Sequence, residues 1–235
     1  MQTIYEPKGK AKEYGDLALN IYTGCPHRCV YCYVPATLRK DREVFHSCVE
    51  PRKNIVEETK KRLDNGDIKG KEIFLCFTCD PFPVGYDHSP THEIIQAIKE
   101  SGNNVAVLTK GRPDMTKLNK LLTSSDRFGV TISGAGRSKE QNATNGIILL
   151  GMLRKAKAAG IKTFVSCEPV YDKQTIYNLI TMIGCIDEYR IGKLNYAHSD
   201  INWSEFGQKC ERLCLLHNRN YMIKESLRSE MELIH

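Results

Sequence analysis

Three of the chain's ten cysteines fall within eight residues, at Cys25, Cys29 and Cys32 of the stretch TGCPHRCVYCYVP, residues 23–35. Thiolates suit soft metals, so Cys-x3-Cys-x2-Cys predicts zinc or an iron–sulfur cluster wrapped by a single loop. A structural zinc site would be closed by a fourth side chain, with His27, His46 and Cys48 the nearest candidates. An iron–sulfur cluster with three protein ligands would leave one iron open to a substrate or cofactor. A disulfide framework is the less expected use of these thiols. The segment MQTIYEPKGKAKEYGD is polar where a signal peptide would be apolar, and no run reaches membrane-spanning length, so a soluble cytoplasmic protein is expected.

The elements that must carry this loop are legible in the apolar pattern. With 235 residues, 41% of them hydrophobic, the chain can bury one substantial core, and a single domain over 1–235 is expected. β-branched runs alternate with amphipathic segments. The expected strands are LALNIYT (17–23), EIFLCFT (72–78), NVAVLT (104–109), FGVTIS (128–133), KTFVSC (162–167) and EYRIGK (188–193), with NYMIK (220–224) a possible seventh. Helices are expected at about 51–65, 90–101, 113–122, 144–159, 173–183 and 203–217. Ser89 before Pro90 reads as an N-cap, Asn202 with Glu205 as a capping box, and Gly102, Gly160 and Gly184 as helix stops. Six βα units predict an α/β fold whose parallel sheet closes, fully or partly, into a TIM-like barrel.

In such barrels the chemistry sits at the C-terminal ends of the strands. The stretches there read TGCPHRCVYC, TCDPFPVGYDH, TKGRPD, SGAGR, CEPVYD and KLNYAH, which gather polar and ionisable groups at one rim. The three-cysteine loop follows the first strand, where an open cluster makes more sense than a structural clip.

Cys25-x3-Cys29-x-Tyr31-Cys32 resembles the signature of radical S-adenosylmethionine enzymes, including the aromatic residue before the last cysteine. The resemblance implies a partial (β/α)6 barrel and a 4Fe-4S cluster on Cys25, Cys29 and Cys32. The open iron would chelate S-adenosyl-L-methionine, and one electron would cleave it to methionine and a 5′-deoxyadenosyl radical. An electron donor such as a flavodoxin or ferredoxin is implied as well. The stretches FTCDPFPVGYDHSPTH (77–92), LTKGRPD, KTFVSCEPV and RIGKLNY further resemble the spore photoproduct lyase-like group.

Carried over by position, that resemblance implies that Lys110 meets the cofactor carboxylate, as a point-charge ammonium does well. Cys79 stands where the lyase has a cofactor-contacting serine, Asp80 and Ser133 are placed for the cofactor's amino group and ribose, and Tyr31 and Thr78 join this set. Glu168 faces cofactor or substrate. The lyase's hydrogen-donating cysteine corresponds to Phe77. Strand alternation puts 77 and 79 on one face and Cys76 on the other, so Cys79 is the expected donor, with Tyr31 and Tyr33 relaying hydrogen.

A formal charge of +6 is a modest basic bias, and runs such as KGKAK, RKDR, KKR and RKAKAAGIK are ordinary solvated faces. Together with the lyase resemblance it implies a DNA pyrimidine substrate, a thymine lesion or a modified thymine, handled by lyase or isomerase chemistry. Radical modification of a peptide or small metabolite is the alternative enzyme, and a zinc or iron–sulfur scaffold the non-catalytic one. Lys193, Asn195 and Lys224 follow the last strands and are candidates for substrate contact. His88 and His92 are spaced to share a metal, but His88 at the substrate rim and His92 in a helical first turn is the favoured reading. Cys210 and Cys214 share a helical stripe with Trp203, Phe206, Leu213 and His217, and are expected in the core with Cys167. Cys48 and Cys185 fit no pattern.

Overall fold

The computed structural model describes residues 3–195 and 197–232; both ends and Tyr196, within KLNYAH, lie outside the described residues. Eight strands form one sheet in chain order: β1 (Ile4–Tyr5), β2 (Leu17–Leu19), β3 (Glu72–Leu75), β4 (Asn104–Thr109), β5 (Arg127–Thr131), β6 (Lys162–Cys167), β7 (Glu188–Ile191) and β8 (Tyr221–Ile223). All neighbours from β2 to β8 pair in parallel, while β1 lies antiparallel on β2. The six expected strands are present, and NYMIK supplies a seventh parallel one. Among the described residues no pairing joins the first strands to β8, so the sheet is an open barrel.

The layers follow from the period of two. Leu17, Leu19, Ile73, Leu75, Val105, Val107, Phe128, Val130, Val165, Cys167, Tyr189 and Ile191 face the outer helices. Ala18, Phe74, Ala106 and Phe164 line the barrel interior with Tyr14. Small residues stand beside large ones: Ala18 pairs with Phe74, Phe74 with Ala106, and Gly129 with Phe164. A Cβ on Gly129 would lie 2.4 Å from the Phe164 ring, so this position accepts glycine alone.

Toward the N-terminal ends of the strands the interior holds charges that neutralise each other. Arg127 donates to Glu72 (2.7 Å) and Glu188 (3.3 Å), and Arg190 donates to Glu188 at 2.8 Å. Both guanidiniums also lie over Phe164, 5.2 and 5.3 Å from the ring centre. The open side of the sheet, between β1 and β8, is backed from within. A 3-10 turn, Gly9–Glu13, delivers Tyr14 into the interior, and the carbonyls of Glu13 and Tyr14 accept from Arg190 (2.8 Å) and Arg127 (3.2 Å).

The outer layer is α3 (Ile55–Asp64), α4 (Ser89–Glu100), α5 (Met115–Leu121), α6 (Gly146–Ala158), α7 (Lys173–Met182), α8 (Trp203–Leu216) and α9 (Glu225–Glu232). Short α1 (Val34–Leu38) and α2 (Arg42–Ser47) follow the cysteine loop. Asn202 caps α8 by accepting the Glu205 N–H at 3.1 Å. Ser89 is inside α4 rather than its cap; the Asp87 carboxylate accepts both its N–H (3.0 Å) and its hydroxyl (2.8 Å). Gly102 and Gly160 adopt positive φ after their helices, whereas α7 ends on an extended Ile183, leaving Gly184 without that role. Cys210, Cys214 and Cys167 are fully buried, but His217 leaves the stripe and is exposed at the end of α8.

Because Tyr14 packs on Phe74 (ring centres 5.2 Å apart) and its hydroxyl pairs with Ser166 Oγ (2.7 Å), Tyr14→Ala is expected to cost about 3–5 kcal/mol. Tyr14→Phe should cost about 1 kcal/mol, for the hydrogen bond alone. Urea unfolding midpoints at constant slope measure both.

Candidate active site

The cysteine loop leaves β2 at the barrel mouth and is held chiefly through its backbone. Arg42, from α2, donates to the carbonyls of Cys29 (2.5 Å), Val30 (3.0 Å) and Cys32 (3.1 Å). His46 Nδ1 lies 2.7 Å from the Cys25 carbonyl, and the Cys25 N–H reaches the Phe45 carbonyl at 3.2 Å. Gly24 permits this contact, since a Cβ there would stand 2.2 Å from the Phe45 oxygen. The β5–α6 loop straps the other side. Glu140 bridges Cys29, Val30 N–H donates to Lys139 O (3.0 Å), and Asn142 donates to the carbonyls of His27 (3.1 Å) and Pro26 (3.0 Å).

All three thiols are free, and burial pushes the Cys29 thiol up to about 11 and raises Cys25 and Cys32 as well. Thiolates in this setting need a strong positive charge beside them, which a metal centre supplies. Three buried or half-buried thiols on one loop are the soft donor set that a four-iron cluster takes. Of the candidates for a fourth zinc ligand, His27 is engaged through both nitrogens, its Nε2 accepting the Val84 N–H (3.2 Å) and its Nδ1 3.6 Å from Asp80. His46 holds the Cys25 carbonyl through Nδ1 only, with its Nε2 unpartnered among the described residues, and Cys48 is exposed.

Next to this loop, side chains from three segments converge on one oxygen. Lys110 Nζ (2.5 Å), Ser133 Oγ (2.5 Å) and the Tyr31 hydroxyl all donate to Glu140 Oε1. Lys110 and Ser133 follow β4 and β5, Tyr31 lies in the cysteine loop, and the Lys110 ammonium stands 5.6 Å from the Tyr31 ring centre. Burial works against the Glu140 carboxylate, yet the Lys110 charge and these hydrogen bonds hold it below the usual carboxylate range. The structure thus unites Tyr31, Lys110 and Ser133 around an acidic residue that sequence reasoning missed. Its only prior signal was an acid in the glycine-containing loop SGAGRSKEQN after a rim strand.

A second group joins Glu168, Asn195 and Lys224. Asn195 Nδ2 donates to Glu168 Oε1 (2.9 Å), and Lys224 Nζ donates to Glu168 Oε2 and lies 3.3 Å from Glu13 Oε2 and 3.4 Å from the Tyr14 hydroxyl. Gly192 makes room, since a Cβ there would meet the Glu168 carboxylate at 2.7 Å.

The remaining candidates are placed otherwise than expected. Asp80 does not present a free carboxylate for a cofactor amino group. Its oxygens accept from Phe82 N–H (2.8 Å), Thr109 Oγ1 (2.5 Å) and Lys110 N–H (2.7 Å). Thr78 Oγ1 accepts from Arg52 at 3.2 Å. Cys79 departs from strand alternation. β3 ends at Leu75, and Asn20 Oδ1 accepts the N–H groups of Phe77 and Thr78 (both 2.8 Å). The chain turns there, so Cys79 packs with Cys76 against the outer core while Phe77 stays inside on Phe74, ring centres 4.5 Å apart. Tyr33 is 51% exposed and donates to the Phe77 carbonyl at 2.9 Å. His88 lies 3.0 Å from the Pro83 carbonyl and edge-on to Phe82, with the His92 ring centre 6.5 Å away, so its contacts are within its own rim loop. Lys193 pairs with Glu230.

Residues 19–176 match the family model described as the radical SAM superfamily. The chain belongs to that superfamily and is an enzyme of it. No curated protein matches the chain by sequence. Among solved structures, a spore photoproduct lyase variant superposes with a TM-score of 0.69 at 16% identity, covering 92% of this chain and 78% of its own. The same lyase bound to S-adenosylmethionine and a dinucleoside spore photoproduct gives 0.59 at 18%, covering 88% and 63%. Streptococcus suis SuiB bound to S-adenosylmethionine gives 0.62 at 10%, covering 93% and 53%. These likenesses show the partial-barrel fold. No described helix is long and apolar enough to cross a membrane.

Arg42 is the second residue that sequence reasoning missed, and it acts through the loop's carbonyls. Arg42→Ala is expected to lower iron retention about 10–100-fold in affinity. Arg42→Lys should restore little, since an ammonium cannot fork across three carbonyls. Iron per chain after anaerobic desalting against a chelator series measures this.

Proposed function

We propose that this enzyme acts on a pyrimidine base in DNA, a thymine lesion or a modified thymine, by lyase or isomerase chemistry. A 4Fe-4S cluster would sit on Cys25, Cys29 and Cys32, reduced by a flavodoxin- or ferredoxin-type donor in the cytoplasm. The observation that carries the cofactor reading is the meeting of Lys110, Ser133 and Tyr31 at one carboxylate beside the cysteine loop. Three donors aimed at a carboxylate oxygen make a seat that Glu140 fills in this structure, and the carboxylate of an amino-acid-bearing cofactor would take its place there. When bound, the cluster and S-adenosylmethionine supply the electron and the 5′-deoxyadenosyl radical. The chain's own residues hold and orient. Lys110 neutralises a carboxylate, Ser133 and Tyr31 fix its direction, and the strap over the loop excludes water.

Glu168, Asn195 and Lys224 offer an acceptor, an amide and a cation within one group, which suits the alternating donor and acceptor edge of a pyrimidine imide. The lyase solved with a dinucleoside lesion and the charge of +6 support a nucleic-acid substrate. A base so bound must leave the stack to reach the mouth. Phe77, packed on Phe74, holds no transferable hydrogen, so the closing hydrogen transfer takes a route other than residue 77. SuiB solved with its precursor peptide makes a peptide substrate the competing arm of the test.

Lys110→Ala should weaken S-adenosylmethionine binding by about tenfold or more, read by equilibrium dialysis on the reconstituted protein. Thymine-containing oligonucleotides should bind with an affinity that falls about 10- to 40-fold between about 50 and 200 mM salt if two or three phosphates are neutralised. They should also exchange deuterium with 5′-deoxyadenosine. Salt-independent binding together with exchange into a peptide would overturn the DNA reading.

A further inference from the structure

Cys76 and Cys79 stand as Cys-x2-Cys at the end of β3, outside the cysteine loop and without a part in the site described above. We propose that they form a redox-active dithiol, with Cys79 the attacking thiol and Cys76 the resolving one, whose substrates are small-molecule or protein disulfides. The proposal is independent of the DNA reading.

The turn after Leu75 carries both side chains to the outer side of the strand end, where Cys79 packs against the same core cluster that contains Cys76. Their roles differ by environment. Cys79 is partly exposed, its sulfur accepts the Tyr22 N–H at 3.3 Å, and Arg52 stands close by, donating to the adjacent Thr78 hydroxyl at 3.2 Å. The Arg52 Nε is buried without a partner, which leaves that part of the guanidinium charge unspent. Cys76 is only 8% exposed. Burial alone would raise both thiols. For Cys79 the neighbouring Cys76 thiol, the Tyr22 N–H and the Arg52 charge outweigh burial and hold it below its ordinary value, while burial pushes Cys76 well above. An accessible, electropositive thiol with a buried neighbour three residues away is the arrangement that attacks disulfides.

The reaction balances without the enzyme's cofactors. The Cys79 thiolate attacks one sulfur of RSSR, forming a mixed disulfide and releasing RS⁻. The Cys76 thiol, losing its proton, then attacks the Cys79 sulfur and releases the second thiolate. Two protein thiols and RSSR become a protein disulfide and two RSH. Asp80 follows directly in the chain, so the pair borders the carboxylate that positions Lys110.

Trypsin cuts after Lys71 and Lys99, and the peptide between them holds Cys76 and Cys79 and no other cysteine. The anaerobically purified protein is equilibrated with oxidised glutathione, trapped with iodoacetamide and digested. The expected product is this peptide two hydrogens lighter and unalkylated, returning to the doubly alkylated form with dithiothreitol. Cys76→Ser should stop at a glutathione adduct on Cys79, and Cys79→Ser should form an adduct at least tenfold more slowly. Persistence of two alkylatable thiols in the wild-type peptide, or equal adduct rates in the two variants, would overturn the proposal.

Discussion

One buried carboxylate ties together the segments that make the mouth of this barrel. Asp80 accepts from the backbone of its own loop at Phe82, from the Thr109 hydroxyl at the end of β4, and from the Lys110 N–H, while His27 of the cysteine loop faces it. Its cost of burial is offset because donors meet both oxygens. Gly111 lets the two loops touch, since a Cβ there would overlap the Phe82 carbonyl at 1.6 Å. The direction of the Lys110 side chain, and with it the charge available to a bound carboxylate, descends from this junction.

A comparable logic governs the barrel interior. An open sheet exposes an edge and a partly empty centre, and the chain fills both with groups that satisfy one another. The arginines of β5 and β7 are balanced by Glu72 and Glu188 and covered by aromatic rings. Truncating one partner would leave a buried charge, so the set behaves as a unit. Above it, Lys224 sits between Glu13, Glu168 and Tyr14, and the polar character of the mouth continues inward without an unpaired ammonium.

Much of this was legible in the chain, and the limits have physical reasons. Periodicity located six parallel strands, because each carries apolar residues on its outer face, and the three clustered cysteines marked the loop that follows the first parallel strand at the barrel mouth. β1 was invisible, since two residues have no period. The pairing of Cys79 with Cys76 was misread because alternation holds only while the strand lasts, and Asn20 ends it at Leu75 by capturing the next N–H groups. The engagement of Asp80 was not legible because two of its three donors, the Thr109 hydroxyl and the Lys110 N–H, come from another strand end about thirty residues on. Arg42 and Glu140 escaped for different reasons: one grips carbonyls, which every residue has, and the other is a single acid in a ten-residue loop.

The plug at Tyr14 also bears on the order in which the chain can fold. Some of the partners of this segment lie at the other end of the sequence: Arg190 is 177 residues from Glu13, whose carbonyl it holds, and Lys224 is 210 residues from Tyr14. Contacts of such separation close late, because the loop entropy must be overcome before they form. The first segment therefore gains its full set of partners only once the final strand is in place, even though Phe74 and Ser166 precede that strand in the chain. The barrel is completed by its first residues last.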